Sequence, residues 1–190
     1  MRVDVLFYAI WAAWALSWFA AAAWTAPTQK RPISGAGIPY RALTLIGAVL
    51  LFDAWPVRHL PRMTLWLTPE PIGLVLAAVT AGGFVFCWWA RVHLGRLWSG
   101  AITRKDNHRV VDTGPYRIVR HPIYTGIIVA SYATAAVEGT LTAFLGATLM
   151  TLGWYVKARL EERFLRAELG AAAYDAYAHK TAMLVPFVRL

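Results

Sequence analysis

Apolar residues in this chain are gathered into long runs, and that gathering constrains the fold more than any other feature. The runs fall at roughly residues 3–24, 42–57, 72–90, 123–137 and 141–156, against the about 20 apolar residues that one helical membrane crossing needs. The first and third reach that length. The other three are short, and to span they need little tilt, help from flanking polar residues or a partly re-entrant path. With 58% of 190 residues apolar and only 15% charged, the composition is that of a polytopic membrane protein. The expected fold class is all-α, a membrane helix bundle of about five transmembrane helices, with four as the alternative.

The first run follows Arg2 and ends in small residues at 20–23, which resembles a signal peptide. It is longer than an h-region of about 7–15 residues and carries Trp11, Trp14 and Trp18, so a retained span is expected. The formal net charge of +9 would point to nucleic acid in a soluble protein; here its distribution points to topology. With five spans and the N-terminus outside, all 19 Lys and Arg except Arg2, Arg58 and Arg62 fall on inside segments. The positive-inside rule then puts residues 91–121 and the C-terminal tail in the cytoplasm. The single cysteine, Cys87, excludes an intramolecular disulfide. Five histidines show no metal-binding spacing, no GxGxxG lies between a strand and a helix, and Ser99 and Ser131 lack a nucleophile elbow.

One domain is expected over 1–190, with membrane helices in 1–90 and the chemistry in 91–190. Polar chemistry collects in Gly114-Pro-Tyr-Arg-Ile-Val-Arg-His-Pro-Ile-Tyr-Thr-Gly126, which leads out of a basic loop into an apolar helix. The loop from Arg91 is about 30 residues, long for a connection. Its apolar residues, Leu94, Leu97, Trp98, Val110, Val111 and Tyr116 among them, suit a folded cover over a ligand. Pro122 suits the first helical position, with His121 beside the unsatisfied amides of the helix start.

After a turn at Glu138-Gly139-Thr140, a helix of about 30 residues is expected to run to Leu169, with Gly170 as its stop. At about 45 Å it outruns a hydrocarbon core of about 30 Å, so its last turns project into the cytoplasm with Glu161 and Glu162. As neighbours these two point about 100° apart. One is therefore expected to face inward and meet Arg120, and the other to pair with Arg159 or Arg166 on the surface.

At these residues the chain resembles the isoprenylcysteine carboxyl methyltransferase family, with the phospholipid methyltransferases related to it. The likeness runs from about residue 94 to 187: Leu94-Gly95 with Trp98-Ser99, His108 through Tyr116, Arg120-His-Pro-Ile-Tyr124, Glu161-Glu162 with Leu165 and Gly170, and Tyr174-x-x-Tyr177 before Pro186. The resemblance implies a multi-pass membrane enzyme using S-adenosyl-L-methionine, its active site facing the cytoplasm and closed by the loop and the C-terminal segment. It implies a cofactor site lined by His108, Val110, Val111, Gly114, Tyr116, His121, Pro122, Tyr124, Glu161 and Glu162. Arg120 and one glutamate stand nearest the chemistry. Lys180 occupies a position where family members often have arginine, keeping the charge and losing the planar fork.

The implied substrate is lipophilic and enters from the bilayer, among membrane lipids and without nucleic acid; carboxyl O-methylation of an isoprenylcysteine-like acceptor is favoured. N-methylation of a phospholipid amine is the alternative, and a sterol-type reductase using NADPH or a non-catalytic scaffold are alternatives of other classes.

Overall fold

A computed structural model describes residues 3–25, 27–30, 37–54, 63–100, 104–105 and 110–188. In chain order they form α1 (Val3–Ala20), α2 (Ile38–Leu51), α3 (Glu70–Leu94), α4 (Pro122–Glu138), α5 (Leu141–Leu169) and α6 (Ala171–Lys180). A short antiparallel pair joins β1 (Thr28–Lys30) to β2 (Arg104–Lys105); the rest of the regular structure is helical, as the apolar runs imply. By length and composition, α1 with its 3-10 extension (Val3–Ala23) and α3 with the turn after it (Glu70–Leu97) are long and apolar enough to cross a membrane.

The helix limits follow local chemistry. Pro122 opens α4 and Gly170, at φ 95°, ends α5, both where the sequence puts them. α2 starts at Ile38, before its expected run at 42, because Pro39 fits a first helical turn, where its missing N–H removes no bond. α3 continues to Leu94, so Arg91 and His93, read as the start of the loop, lie on a helix.

The turn between α4 and α5 is tight because Gly139 takes the left-handed conformation at φ 61°. Thr140 then caps α5, its hydroxyl accepting from the Ala143 amide at 3.2 Å. Residues 63–68 strap this tip: the Leu65 amide donates to the Gly139 carbonyl at 2.7 Å, and the Trp66 indole to Ala136 O at 3.0 Å. Counted from the tip, His121 and Glu161 are both about 20 residues away along antiparallel helices. That equality brings them to the same end of the bundle.

α3 packs along α4, and α2 along α5. Both contacts are backbone-close: a Cβ on Gly83 would lie 2.6 Å from Gly126 O, and one on Gly47 would lie 2.6 Å from Gly146 O. α1 joins through aromatic rings at helical spacing. Trp14 stacks on Phe84 at 4.7 Å, Trp11 meets Phe84 edge-on at 4.8 Å, and Trp18 meets Trp98 at 5.5 Å.

Arg91 fixes the far end of α1. It is fully buried, and its guanidinium donates to Ala21 O at 3.0 Å, Trp24 O at 2.6 Å and Gly95 O at 2.7 Å. Trp24 and Trp98 cover its faces at 4.8 and 4.4 Å. Carbonyls at a helix C-terminus attract a cation, so this charge is a clamp between α1 and α3 and not a free charge on a loop.

Gly126→Ala would push a methyl into Gly83 O and Cys87 Sγ. It is expected to cost about 1–3 kcal/mol, seen as a lower melting temperature in detergent. Gly82→Ala, where a Cβ meets nothing within 4 Å, is expected to leave melting unchanged or slightly raised; equal melting of the two variants would contradict the packing described.

Candidate active site

Arg120 and His121 are held in an extended segment before they act. The Arg120 amide donates to Ala182 O at 2.8 Å and the His121 amide to Met183 O at 3.1 Å, so the residues after α6 pair with the approach to α4. Thr125 Oγ1 adds a bond to Leu184 O at 2.6 Å, and Tyr177 Oη one to Tyr116 O at 2.7 Å. The C-terminal segment therefore braces the start of α4 from one side, and α5 stands on another.

The last turns of α5 bring two carboxylates against that start. Arg120 Nε donates to Glu162 Oε1 at 2.6 Å, while Arg120 Nη1 donates to Ala178 O at 3.0 Å and to Thr181 O. His121 Nε2 lies 3.2 Å from the same Glu162 oxygen, and its Nδ1 lies 3.7 Å from Glu161 Oε2. The Tyr124 hydroxyl is 2.7 Å from each Glu161 oxygen and donates there. Its ring stacks between His121 at 5.3 Å and Trp154 at 4.8 Å.

Both glutamates thus face inward, against the expectation that one would pair with Arg159 or Arg166 at the surface; Arg166 binds Asp175 instead, at 2.7 and 2.8 Å. The reason is geometric. The start of α4 offers partners over more than one face: Arg120 before Pro122 takes Glu162, and Tyr124, further into the helix, takes Glu161.

Burial pushes the Glu162 carboxyl up, but hydrogen bonds from His121 and Arg120, with their charges, outweigh it and bring the group from 4.5 down to about 2. Such a carboxylate is a weak proton acceptor. Burial raises the Tyr116 hydroxyl far above its ordinary value, so it stays a neutral donor.

Several of these groups line a cavity of about 330 Å³. Of the expected cofactor residues, Tyr116, His121, Tyr124 and Glu161 line it, as does Arg120; Glu162 stands behind, bonded to Arg120 and His121. Pro122 is buried as the first residue of α4. Gly114, at φ 56°, packs where a Cβ would collide with the His93 ring. Val110 and Val111 are half-buried away from the lining, with Val111 against the hydrophobic core. Lys180 is exposed at the last position of α6. His108 lies outside the described residues. Among the described residues, no group of three His, Cys, Asp or Glu side chains is placed to hold a metal.

The aromatic part of the lining comes from places that look quiet in the sequence. Trp14, Trp18 and Phe19 of α1, with Trp98 and Trp154, line the cavity too; Trp18 meets Trp98 edge-on and Trp154 stacks on Tyr124. In the sequence Trp11, Trp14 and Trp18 mark only a retained span. The Trp14 and Trp154 indole N–H groups are buried without an acceptor among the described residues.

Residues 72–167, about half of the chain, match the model of the isoprenylcysteine carboxyl methyltransferase (ICMT) family, and the protein belongs to that family. The match starts within α3, ahead of the motifs that carry the resemblance, and stops before the end of α5. Methanethiol S-methyltransferase 1 of Bradyrhizobium diazoefficiens is 29% identical over 176 residues, which cover 87% of this chain and 59% of that protein. A probable protein-S-isoprenylcysteine O-methyltransferase of Oryza sativa subsp. indica is 27% identical over 119 residues, 62% of this chain and 61% of its own length. Protein-S-isoprenylcysteine O-methyltransferase B of Arabidopsis thaliana is 31% identical over 88 residues, 46% of this chain and 44% of its own. The chain spans about three fifths of the length of the first two relatives.

The depressed Glu162 carboxyl sets a pH dependence. Because its folded value lies below its unfolded one, its contribution to stability is fully present above 4.5 and is lost as pH falls toward about 2. Melting temperature measured across that window is expected to fall in the wild type and to fall less in Glu162→Gln; parallel curves would contradict the pairing.

Proposed function

We propose that the protein is an integral membrane methyltransferase that uses S-adenosyl-L-methionine and acts on a lipophilic acceptor, with carboxyl O-methylation of an isoprenylcysteine-like acceptor as its reaction. One observation carries the reading. In a chain of the ICMT family, Arg120, His121, Tyr124 and Glu161 line one cavity together with Trp14, Trp18 and Phe19 of α1 and with Trp98 and Trp154.

The residues present fit the cofactor. It is a sulfonium with an amino-acid zwitterion and an adenine, and the cavity offers a carboxylate, a guanidinium and the ring faces of Tyr116, Tyr124 and Trp154. Glu161, Tyr124, His121 and Arg120 would hold it, with His108, Val110, Val111, Gly114 and Lys180 as further candidates on the covering loop and tail. When bound, the cofactor supplies a methyl group on positively charged sulfur.

The chain's own part is alignment and exclusion of water. Tyr124 fixes the Glu161 carboxylate through both oxygens. Arg120 is fixed by Glu162 and two carbonyls, so it presents a stationary positive edge to the cavity. An amine acceptor must lose a proton, whereas a carboxylate needs no base. That contrast favours the O-methylation reading over a phospholipid amine. A second reading, methylation of a thiol, is favoured by the methanethiol S-methyltransferase relative, whose match covers 87% of this chain.

For the membrane, α2, α4 and the first part of α5 would complete five spans with α1 and α3, and the charge distribution would put the cavity mouth in the cytoplasm.

Calorimetric titration of the detergent-purified chain is expected to show binding of S-adenosylhomocysteine and none of NADPH; binding of NADPH alone would sink the reading. His121→Ala is expected to weaken S-adenosylhomocysteine at least about tenfold at unchanged expression, and wild-type affinity in that variant would move the pocket elsewhere.

A further inference from the structure

Lys157 reads in the sequence as one more charge on the projecting end of α5. In the fold its side chain is 7% exposed, and three aromatic faces surround the ammonium: Tyr124 at 5.1 Å, Trp154 at 5.4 Å and Tyr40 at 5.6 Å. A buried ammonium is costly unless it is paired and hydrogen-bonded. Nζ donates to Gly100 O at 3.0 Å, its one hydrogen bond among the described residues, out of three that an ammonium can make. Glu161 Oε1 is 3.8 Å away, a charge contact beyond hydrogen-bond length, and the carboxylate accepts the one Tyr124 hydroxyl proton, which lies between its two oxygens.

Arg120, the other cation on the cavity wall, differs. Its guanidinium is held by Glu162, Ala178 O and Thr181 O. Each cation keeps two donors without a partner among the described residues, but Arg120 has a carboxylate at 2.6 Å whereas Lys157 has none within hydrogen-bond length. A ligand that brings negative charge can take the two remaining Lys157 donors.

We propose that Lys157 is the acceptor-binding cation of this cavity, recognising an anionic head, carboxylate or thiolate, on an apolar chain and disfavouring an amine. The proposal rests on the methyltransferase reading above and names the acceptor class. Trp14, Trp18, Phe19, Leu97 and Leu165 line the same cavity and form the surface for the apolar chain. The Lys157 charge holds the head in its ionised form, which is the nucleophilic one, whereas an ammonium head would meet a like charge. Lys157 lies one helical turn before Glu161 on α5, so an anion bound there sits beside the Glu161 and Tyr124 wall.

Titration calorimetry of the full chain in detergent, with octanoate, 1-octanethiol and octylamine, each with and without S-adenosylhomocysteine, tests the assignment. The wild type is expected to bind octanoate or octanethiol at least about tenfold more tightly than octylamine, and the tighter of the two separates a carboxylate acceptor from a thiol. Lys157→Met is expected to lose at least about tenfold toward that probe without losing octylamine, and Lys157→Arg to stay within about threefold of wild type. A wild type that prefers octylamine, unchanged anion affinity in Lys157→Met, or equal loss toward all three probes overturns the proposal. Anion preference in a chain that takes no S-adenosylhomocysteine leaves Lys157 in place and removes the cofactor reading instead.

Discussion

Arg120 stands two residues before α4, Glu162 stands in the last turns of α5, and the carbonyls of Ala178 and Thr181 belong to the segment that closes the chain; one guanidinium touches all three. Arg120 and Glu162 are mostly buried, at 8% and 13% side-chain exposure, where a charge is costly without its partner. The cost of leaving either one alone couples the elements that carry them. The hairpin supplies the approach, since α4 and α5 return from one tight turn at Gly139, but it fixes no side chain. The ion pair sets where the start of α4 lies against α5, and with it the positions of His121, Tyr124 and Glu161.

A second arginine does a separate task at the same end of the bundle. Arg91 draws the carbonyls after α1 onto the end of α3 and is covered by Trp24 and Trp98. Trp98 also lines the cavity, with Trp14 and Trp18 of α1. Arg120 thus orders polar groups of the cavity, and Arg91 holds one of its aromatic residues, Trp98. Glycine contacts between α3 and α4 and between α2 and α5 keep the helices close without adding any group to the site.

Much of this was legible in the sequence where a local rule has one outcome. Pro122 can open a helix at no cost, Gly139 can turn one sharply, Gly170 can stop one, and antiparallel helices of matched length must bring Arg120 to the glutamate pair. The order of the motifs carried the family. What stayed hidden depended on which faces meet. The 100° between Glu161 and Glu162 describes one helix, whereas the start of α4 presents partners on two of its sides. Arg91, at the end of an apolar run, has the look of an orienting charge until the end of α1 is placed beside it. Lys157 and the tryptophans of α1 carry no motif, and their place on the cavity is set by packing across the bundle. Val110, Val111 and Lys180, taken from the family pattern, stand away from the cavity lining because the pattern records position along the chain and not direction.

The central claim is that the Arg120–Glu162 pair joins α4, α5 and the C-terminal segment into one unit. A double-mutant cycle with Arg120→Met and Glu162→Gln, read on denaturant unfolding in mixed micelles, measures that directly. The account predicts that the double variant is less destabilised than the sum of the single ones, by about 1–3 kcal/mol. Additivity within about 0.5 kcal/mol would contradict it.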